Sequence, residues 1–446
     1  MKTDQQNYQY DYNGAANVKL DRVFGSLPGY LKFGAKLHRT DKEFDIENLS
    51  LTAYTGPGAP LNAAAFSRSG TADFLDQRYA FGPRLDHTAA QKFLNDNLSG
   101  FGVNGPATAS SNSGDYVARE SVNALYGMAS LDPWPKFRVI AGVRAEFTDT
   151  TVTGTQAQNG PGNVFLGLVR LTQARRYNNV LPGVNVRYEA AKNIVLRAAW
   201  TNTLARPQYN ALSPGGSVNF QNNTLTEGNP DLQPYTSRNF DADIAYYLPK
   251  LGLLSASLFR KDISDPIFNR TAAVTEGPYL GFTRTRAENA ASARLNGLEL
   301  AWQQSLTFLP APFNRLGLTI NHTWLASDVV IPARPGEKLS FFGQSPRIAN
   351  VSVFYQHKRW QARVAYSWQS AYLNGLGPRA DLDRYIETRG QVDGSVQFKV
   401  SQNFRLFLDG QNLTNAPFIG SFGHGARLGT NDRFGWTVTG GIKLHY

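Results

Sequence analysis

Two carboxylates, Asp241 and Asp243, stand two residues apart in the run NFDADIAYYLP. On an extended strand such a pair shares one face, the placement that glycosidase acid–base chemistry needs. The same spacing arises wherever a strand lines an aqueous interior. Many other segments of this chain carry charges at every second position, so a hydrophilic wall is the plainer reading. The six histidines, His38, His87, His322, His357, His424 and His445, never fall at i, i+4 or another ligand spacing, so no metal site is expected. The chain has 0 cysteines, which removes disulfides, thiolate nucleophiles and zinc–thiolate sites. GHGARLG (423–429) is rich in glycine but lacks a G-x-G-x-x-G frame and a following helix. No G-x-S-x-G elbow occurs. Asn412 opens an N-L-T triplet that matches a glycosylation acceptor by chance. No catalytic residue, cofactor site or metal site is predicted. Binding chemistry is more plausible on loops: Tyr209, Tyr279, Phe282 and Tyr372, with Phe422, offer aromatic faces, and Arg284 and Arg286 offer carboxylate or phosphate clamps. No ligand contact among them is singled out.

The elements that must position these residues read as strands. In the closing run RFGWTVTGGIKLHY, Phe434, Trp436, Val438, Gly440, Ile442, Leu444 and Tyr446 alternate with Arg433, Gly435, Thr437, Thr439, Gly441, Lys443 and His445. The same period of two recurs in 31–38, 137–147, 240–248 and 360–369, and in segments near 122–128, 184–189, 194–201, 253–259, 298–303, 316–321, 349–355, 392–400 and 404–409. One face is apolar with aromatics at its ends, as in Trp360 and Trp368. The other is polar and charged. Segments of roughly 9–15 residues match tilted bilayer-spanning strands. Short turns (DPWPK, AAKN, LPKLG, PAPFNR, QHKR, VSQN) alternate with long loops over roughly 48–114, 154–174, 206–233, 265–289, 330–344, 374–385 and 411–431. Sorting short turns to one side and long loops to the other is the mark of an outer-membrane barrel. Arg206 and Pro207 read as a strand terminus at the outer rim, and GNPDLQP (228–234) as a turn re-entering a strand.

Composition agrees. The chain has 446 residues, 41 glycines and 20 tyrosines. Its mean hydropathy is -0.36, and no run of 18 apolar residues exists, so a helical membrane bundle is excluded. The formal net charge of +11 is spread along the chain rather than clustered. That argues against nucleic-acid binding and for anionic lipid headgroups or an anionic ligand. The fold expected is all-β: an antiparallel transmembrane barrel segment of about fifteen strands, one domain over residues 1–446. The last strand should end at the short-turn side, so an odd count starts at the long-loop side. A closed bacterial barrel has an even number of strands. No signal peptide opens the sequence either, and both observations predict that the front of the protein is missing.

LPGVNVRYEAAKNIVLRAAWTNTLARPQYNALSP (181–214) and EGNPDLQPYTSRNFDADIAYYLP (227–249) resemble consecutive segments of TonB-dependent outer-membrane receptors. ARLNGLELAWQQSLTFLP (293–310), QNLTN (411–415) and the aromatic-ended last strand complete the likeness, which is nearest the branch common in xanthomonads and caulobacters. The resemblance implies a 22-stranded barrel of the Gram-negative cell outer membrane, plugged by an N-terminal domain. It implies uptake of a scarce small-molecule nutrient (siderophore-iron, cobalamin or oligosaccharide class), and no enzyme. It further implies partnership with outer-membrane lipid and with the barrel-assembly machinery through the C-terminal strand, and with the TonB complex only in a full-length form. No TonB box and no plug are seen in this sequence. The rival readings are a passive porin and a soluble β-rich carbohydrate-binding protein.

Overall fold

The computed structural model describes every residue except 1, 25–26, 69–70, 75–78, 106, 109–111, 160–164, 220–221, 278 and 445–446. The expectation that Tyr446 closes the last strand therefore lies outside the described residues. The main element is an antiparallel meander. Its first five strands are β1 (Lys2–Phe24), β2 (Leu27–Leu49), β3 (Tyr116–Trp134), β4 (Phe137–Asn159) and β5 (Phe165–Ala191). Next come β6 (Ile194–Ala205), β7 (Tyr235–Leu248), β8 (Gly252–Ser264), β9 (Ser292–Ser305) and β10 (Leu316–Val330). The last five are β11 (Arg347–His357), β12 (Trp360–Gln369), β13 (Arg389–Lys399), β14 (Phe404–Gln411) and β15 (Thr437–Leu444). Each pairs antiparallel with the next in order. Among the described residues β1 does not pair with β15, so the sheet is open.

The six predicted short turns all fall at one end. Lys136, Lys250, Leu251 and Lys358 take positive φ there, which lets the chain reverse in a few residues. The long loops share the other end. One expectation is corrected: 154–174 is not a loop. Thr155–Gln158 pair with Arg170–Gly167, and the Thr153 and Thr172 hydroxyls meet at 2.8 Å. β-branched and alternating residues in both arms keep the ladder going, so the hairpin continues as a ribbon. For the same reason β1–β5 exceed the 9–15 residues predicted for a strand.

The register aligns the apolar rows across neighbouring strands. Ile244, Ala256, Leu300 and His322 are successive cross-strand neighbours, as are Tyr246, Leu254, Trp302 and Ile320. These rows stay exposed: Leu258 is 59%, Val364 58% and Ile442 59% accessible. The opposite, polar face is the one over which the loops fold. The two apolar clusters sit on that side at the long-loop end. One joins Ile263, Leu295 and Val329 to Leu339, Leu373 and Leu376, and the other joins Tyr116, Ala118 and Val152 to Leu212 and Leu232. The polar face is therefore the interior and the uncovered apolar face the exterior, as the alternation predicted. Arg363 donates to Ser352 and Asn350 to Asn321 on the inner rows, while Trp360 and Val364 point out. No described helix is long and apolar enough to cross a membrane, which says nothing of crossing by strands.

Candidate functional site: the polar wall and its loop crown

Asp241 and Asp243 lie on the inner wall, as their spacing predicted. With Arg138, Asn185, Arg187 and Arg197 they line a concavity of about 500 Å³. Asp243 accepts from Arg197 Nη1 at 2.6 Å and from Ser257 Oγ at 3.1 Å. A carboxylate held by a guanidinium and a hydroxyl lines a wall with alternating charge. Among the described residues no group of three or more His, Asp or Glu side chains is placed to hold a metal ion.

Pro207 cannot donate to a ladder, so β6 stops at Ala205 and the chain turns over the wall. Arg206 does more than end a strand. Its Nη2 donates to Glu146 Oε2 at 2.6 Å and to Thr148 Oγ1 at 3.0 Å, and its Nε lies 3.9 Å from Glu120. Arg144 donates to the other oxygen of Glu146 at 2.6 Å. Tyr209, in the short helix Tyr209–Leu212, donates to Glu120 Oε1 at 3.3 Å. Burial pushes the Tyr209 phenol up, and the Glu120 carboxylate adds to the shift. The GNPDLQP turn locks in beside it. Asn229 caps it by accepting from Asp231 N at 3.1 Å and donating to Ala287 O at 3.0 Å, while Leu232 is 1% exposed. Both family-like motifs thus fasten one loop to the inner wall. Arg206 and Glu146 are 60 residues apart, so the spacing of nearby residues carried no trace of their pairing.

The seven aromatic and cationic candidates fall into three groups. Tyr209 belongs to the buried anchor just described. Arg284, Arg286, Tyr279 and Phe282 belong to a second loop. There the hairpin Ile267–Ala273 with Thr283–Asn289 pairs in parallel with the hairpin Gly216–Asn219 with Thr224–Glu227 of the first loop. Arg284 and Arg286 each stand 3.5 Å from Glu227, and Glu288 takes Arg270 at 3.0 Å and Arg286 at 3.1 Å. Three guanidiniums share two carboxylates in this cluster, one cation in excess, and Glu276 near the tip of the same hairpin brings the lobe's formal charge to zero. The Tyr279 and Phe282 rings pack at 5.6 Å. Tyr372 and Phe422 lie in the third group, a four-stranded sheet made by the last two loops: Tyr372–Gly375, Arg384–Ile386, Phe418–Phe422 and Arg427–Asp432. GHGARLG forms its hairpin turn, with Gly423, His424 and Gly425 all at positive φ. Asn412 is equally structural, accepting from Ala416 N at 2.9 Å and donating to Gly435 O at 2.8 Å. A buried ion pair ties this sheet to the loop after β10. Arg334 Nη1 donates to Asp383 Oδ1 at 2.6 Å, their side chains being 9% and 3% exposed. The Glu337 hydrogen bond holds the Arg334 proton more tightly than usual against the opposing effect of burial, with Asp383 adding to it.

With this geometry in hand, the comparisons decide the family. The family model for the TonB dependent receptor-like beta-barrel matches residues 1–413. This chain belongs to the TonB-dependent receptor family. Members are outer-membrane transport receptors of Gram-negative bacteria, and their solved structures share this chain's fold. The ferric-catecholate import receptor Fiu from K12 E. coli, in its closed form, superposes with a TM-score of 0.64 at 13% identity, covering 99% of this chain and 55% of that one. The siderophore receptor PiuA from Acinetobacter baumannii gives 0.59 at 11% identity, covering 99% and 56%. A double mutant of the Serratia marcescens hemophore receptor HasR, in complex with its hemophore HasA and heme, gives 0.59 at 12%, covering 100% and 60%. The chain thus spans a little over half the length of these structures. No curated protein matches it.

Proposed function

We propose that this receptor chain forms most of the wall and crown of an energy-coupled uptake receptor in the outer membrane of a Gram-negative bacterium. Its short turns would face the periplasm and its loops the exterior. The observation that carries the reading is the single-sided crown of co-folded loops, fastened to a charged inner wall by Arg206 and Leu232. Such a crown can hold a ligand over a lumen; a bare porin needs none. A whole barrel of 22 strands, a plug, TonB coupling and assembly through the last strand belong to the same proposal. The substrate is a scarce nutrient of the siderophore-iron, cobalamin or oligosaccharide class. The guanidinium cluster of Arg270, Arg284 and Arg286, one cation in excess over Glu227 and Glu288, favours an anionic chelate within that range. The rival is passive diffusion through the same barrel. Uptake of labelled ferric chelates, cobalamin and oligosaccharides by cells with and without a proton-motive force separates the two. Saturable uptake that collapses with the gradient supports the receptor. Linear uptake indifferent to the gradient makes it a pore.

A further inference from the structure

On the exterior face the apolar rows of β7–β11 end, toward the loops, in charge. Arg238, Asp262, Arg294 and Asp328 are successive cross-strand neighbours in one row. One step below lie Phe240, Arg260, Asn296 and Ala326, and below those Leu258, Leu298, Trp324 and Arg347. Four arginines meet two aspartates. Asp262 is shared, accepting from Arg260 at 3.0 and 3.1 Å and from Arg294 at 2.9 Å. Arg347 is exposed, and its guanidinium has no partner among the described residues. Between these rows runs an outward groove of about 760 Å³. Phe240, Leu258, Leu298 and Trp324 form its floor, with Arg260 and Arg347 on its rim.

We propose that this groove is a specific site for a lipid of the leaflet at the loop end whose phosphate headgroup is net anionic. Its acyl chain lies on the Phe240–Leu258–Leu298–Trp324 floor, and its phosphate sits between Arg260 and Arg347. The proposal rests on the reading of the apolar face as lipid-facing. Charge complementarity chooses the occupant. Beside hydrocarbon a guanidinium is stable only where it meets headgroup or counter-anion. Here a net surplus of cation overhangs an apolar floor. A neutral or zwitterionic lipid would fill the floor without a net negative charge to balance that surplus. Arg also fits phosphate oxygens as a fork rather than a point charge.

The test uses the whole receptor in detergent micelles doped with lipids brominated on the acyl chain, which quench tryptophan on contact. The Trp324 signal is isolated by difference against Trp324→Phe, and Trp302, deeper on the same face, is isolated likewise as the internal control. Brominated phosphatidylglycerol should half-quench Trp324 at roughly a twenty-five-fold lower mole fraction than brominated phosphatidylcholine, with each arginine contributing about fivefold. At Trp302 the two lipids should act alike. Arg260→Gln with Arg347→Gln should erase the preference at Trp324 while quenching at Trp302 persists, showing the barrel intact. Equal quenching of Trp324 by both lipids would overturn the site and leave the lipid-facing reading standing. No quenching of either tryptophan would overturn both. A preference abolished by millimolar inorganic phosphate would mean a bare anion site, which also overturns the proposal.

Discussion

The first five strands and the last ten solve one problem differently. β1–β5 run 19–27 residues and β6–β15 run 8–15. A 23-residue strand is about 75 Å long at ~3.3 Å per residue, or about 55 Å of height at barrel tilt, against an apolar band of about 25 Å. Half of each front strand must therefore stand in water. The outward row changes accordingly. Val18 and Phe33 give way to Tyr12 beside Arg39 and Tyr10 beside Asp41, and Arg119 reaches Asp41 at 2.7 Å. The front builds its projection as a backbone ladder laced with exposed ion pairs. The back stops its strands at the band and builds its projection from loops held by buried side chains. A ladder is satisfied strand by strand; a folded loop depends on a few contacts far apart in sequence. The back should therefore be the easier half to break.

The largest effect is expected at its buried ion pair. Arg334→Ala strands Asp383 without its cation, at a cost of about 3–5 kcal/mol. That exceeds what a loop unit can lose and stay folded. Limited proteolysis should nick 331–346 and 370–388 while the membrane-embedded strands stay protected. Unchanged nicking would mean the crown does not hang on this pair.

The second test puts one charge on each half's exterior. Val364→Arg lies mid-strand in β12 and should lose about 2–4 kcal/mol of inserted stability, read by urea titration of heat-modifiable migration in lipid. Thr151→Arg lies outward on β4, where the front ribbon is taken to have left the band, and should change almost nothing. Equal losses would erase the difference between the halves.

A smaller effect tests the inner rows of the short strands. The Phe354 ring lies over Gly317, Phe259 over Gly297 and Phe407 over Gly441. Gly317→Ala sets a methyl inside the contact distance of the Phe354 ring. The ring can swing into the lumen, so the cost should be about 1 kcal/mol, at the low end for overpacking. A loss of 3 kcal/mol or more by the same titration would show the ring to be locked.

These contrasts also mark what was legible beforehand. Period-two alternation found the strands, their faces and the end at which each loop lies, because those depend on neighbours one and two residues away. It misjudged 154–174, where glycine and polar residues looked like a loop yet hydrogen bonding to the opposite arm extended the strand. It could not find the Arg206–Glu146 or Arg334–Asp383 pairs, which register and loop docking create across 60 and 49 residues. Nor could it foresee that Tyr209 is an anchor while Arg284 and Arg286 share a carboxylate on the neighbouring strand of another loop. Those arrangements are written in tertiary packing and leave no local period.

The finest test asks how much of the crown's latch is titratable. Glu337 is the outer of the two carboxylates on Arg334, and its hydrogen bond from that guanidinium holds its pKa below the ordinary value. A carboxylate with a depressed folded pKa contributes stability that is complete above its ordinary pKa and fades as pH falls through the depressed one. Acidification from about pH 5 toward 3 should therefore loosen 331–346 in the wild type, read as pepsin nicking or amide exchange within that loop. Glu337→Gln cannot titrate there, so its profile should be flatter, with slightly faster nicking at pH 5. Every other carboxylate is present in both proteins and cancels in the difference. The effect must be small, because Glu337 is exposed and Arg334 keeps its buried partner. Exchange in the β4–β5 ribbon should not respond to the substitution at any pH. A steep acid response surviving unchanged in Glu337→Gln would show that Glu337 is not the titrating latch.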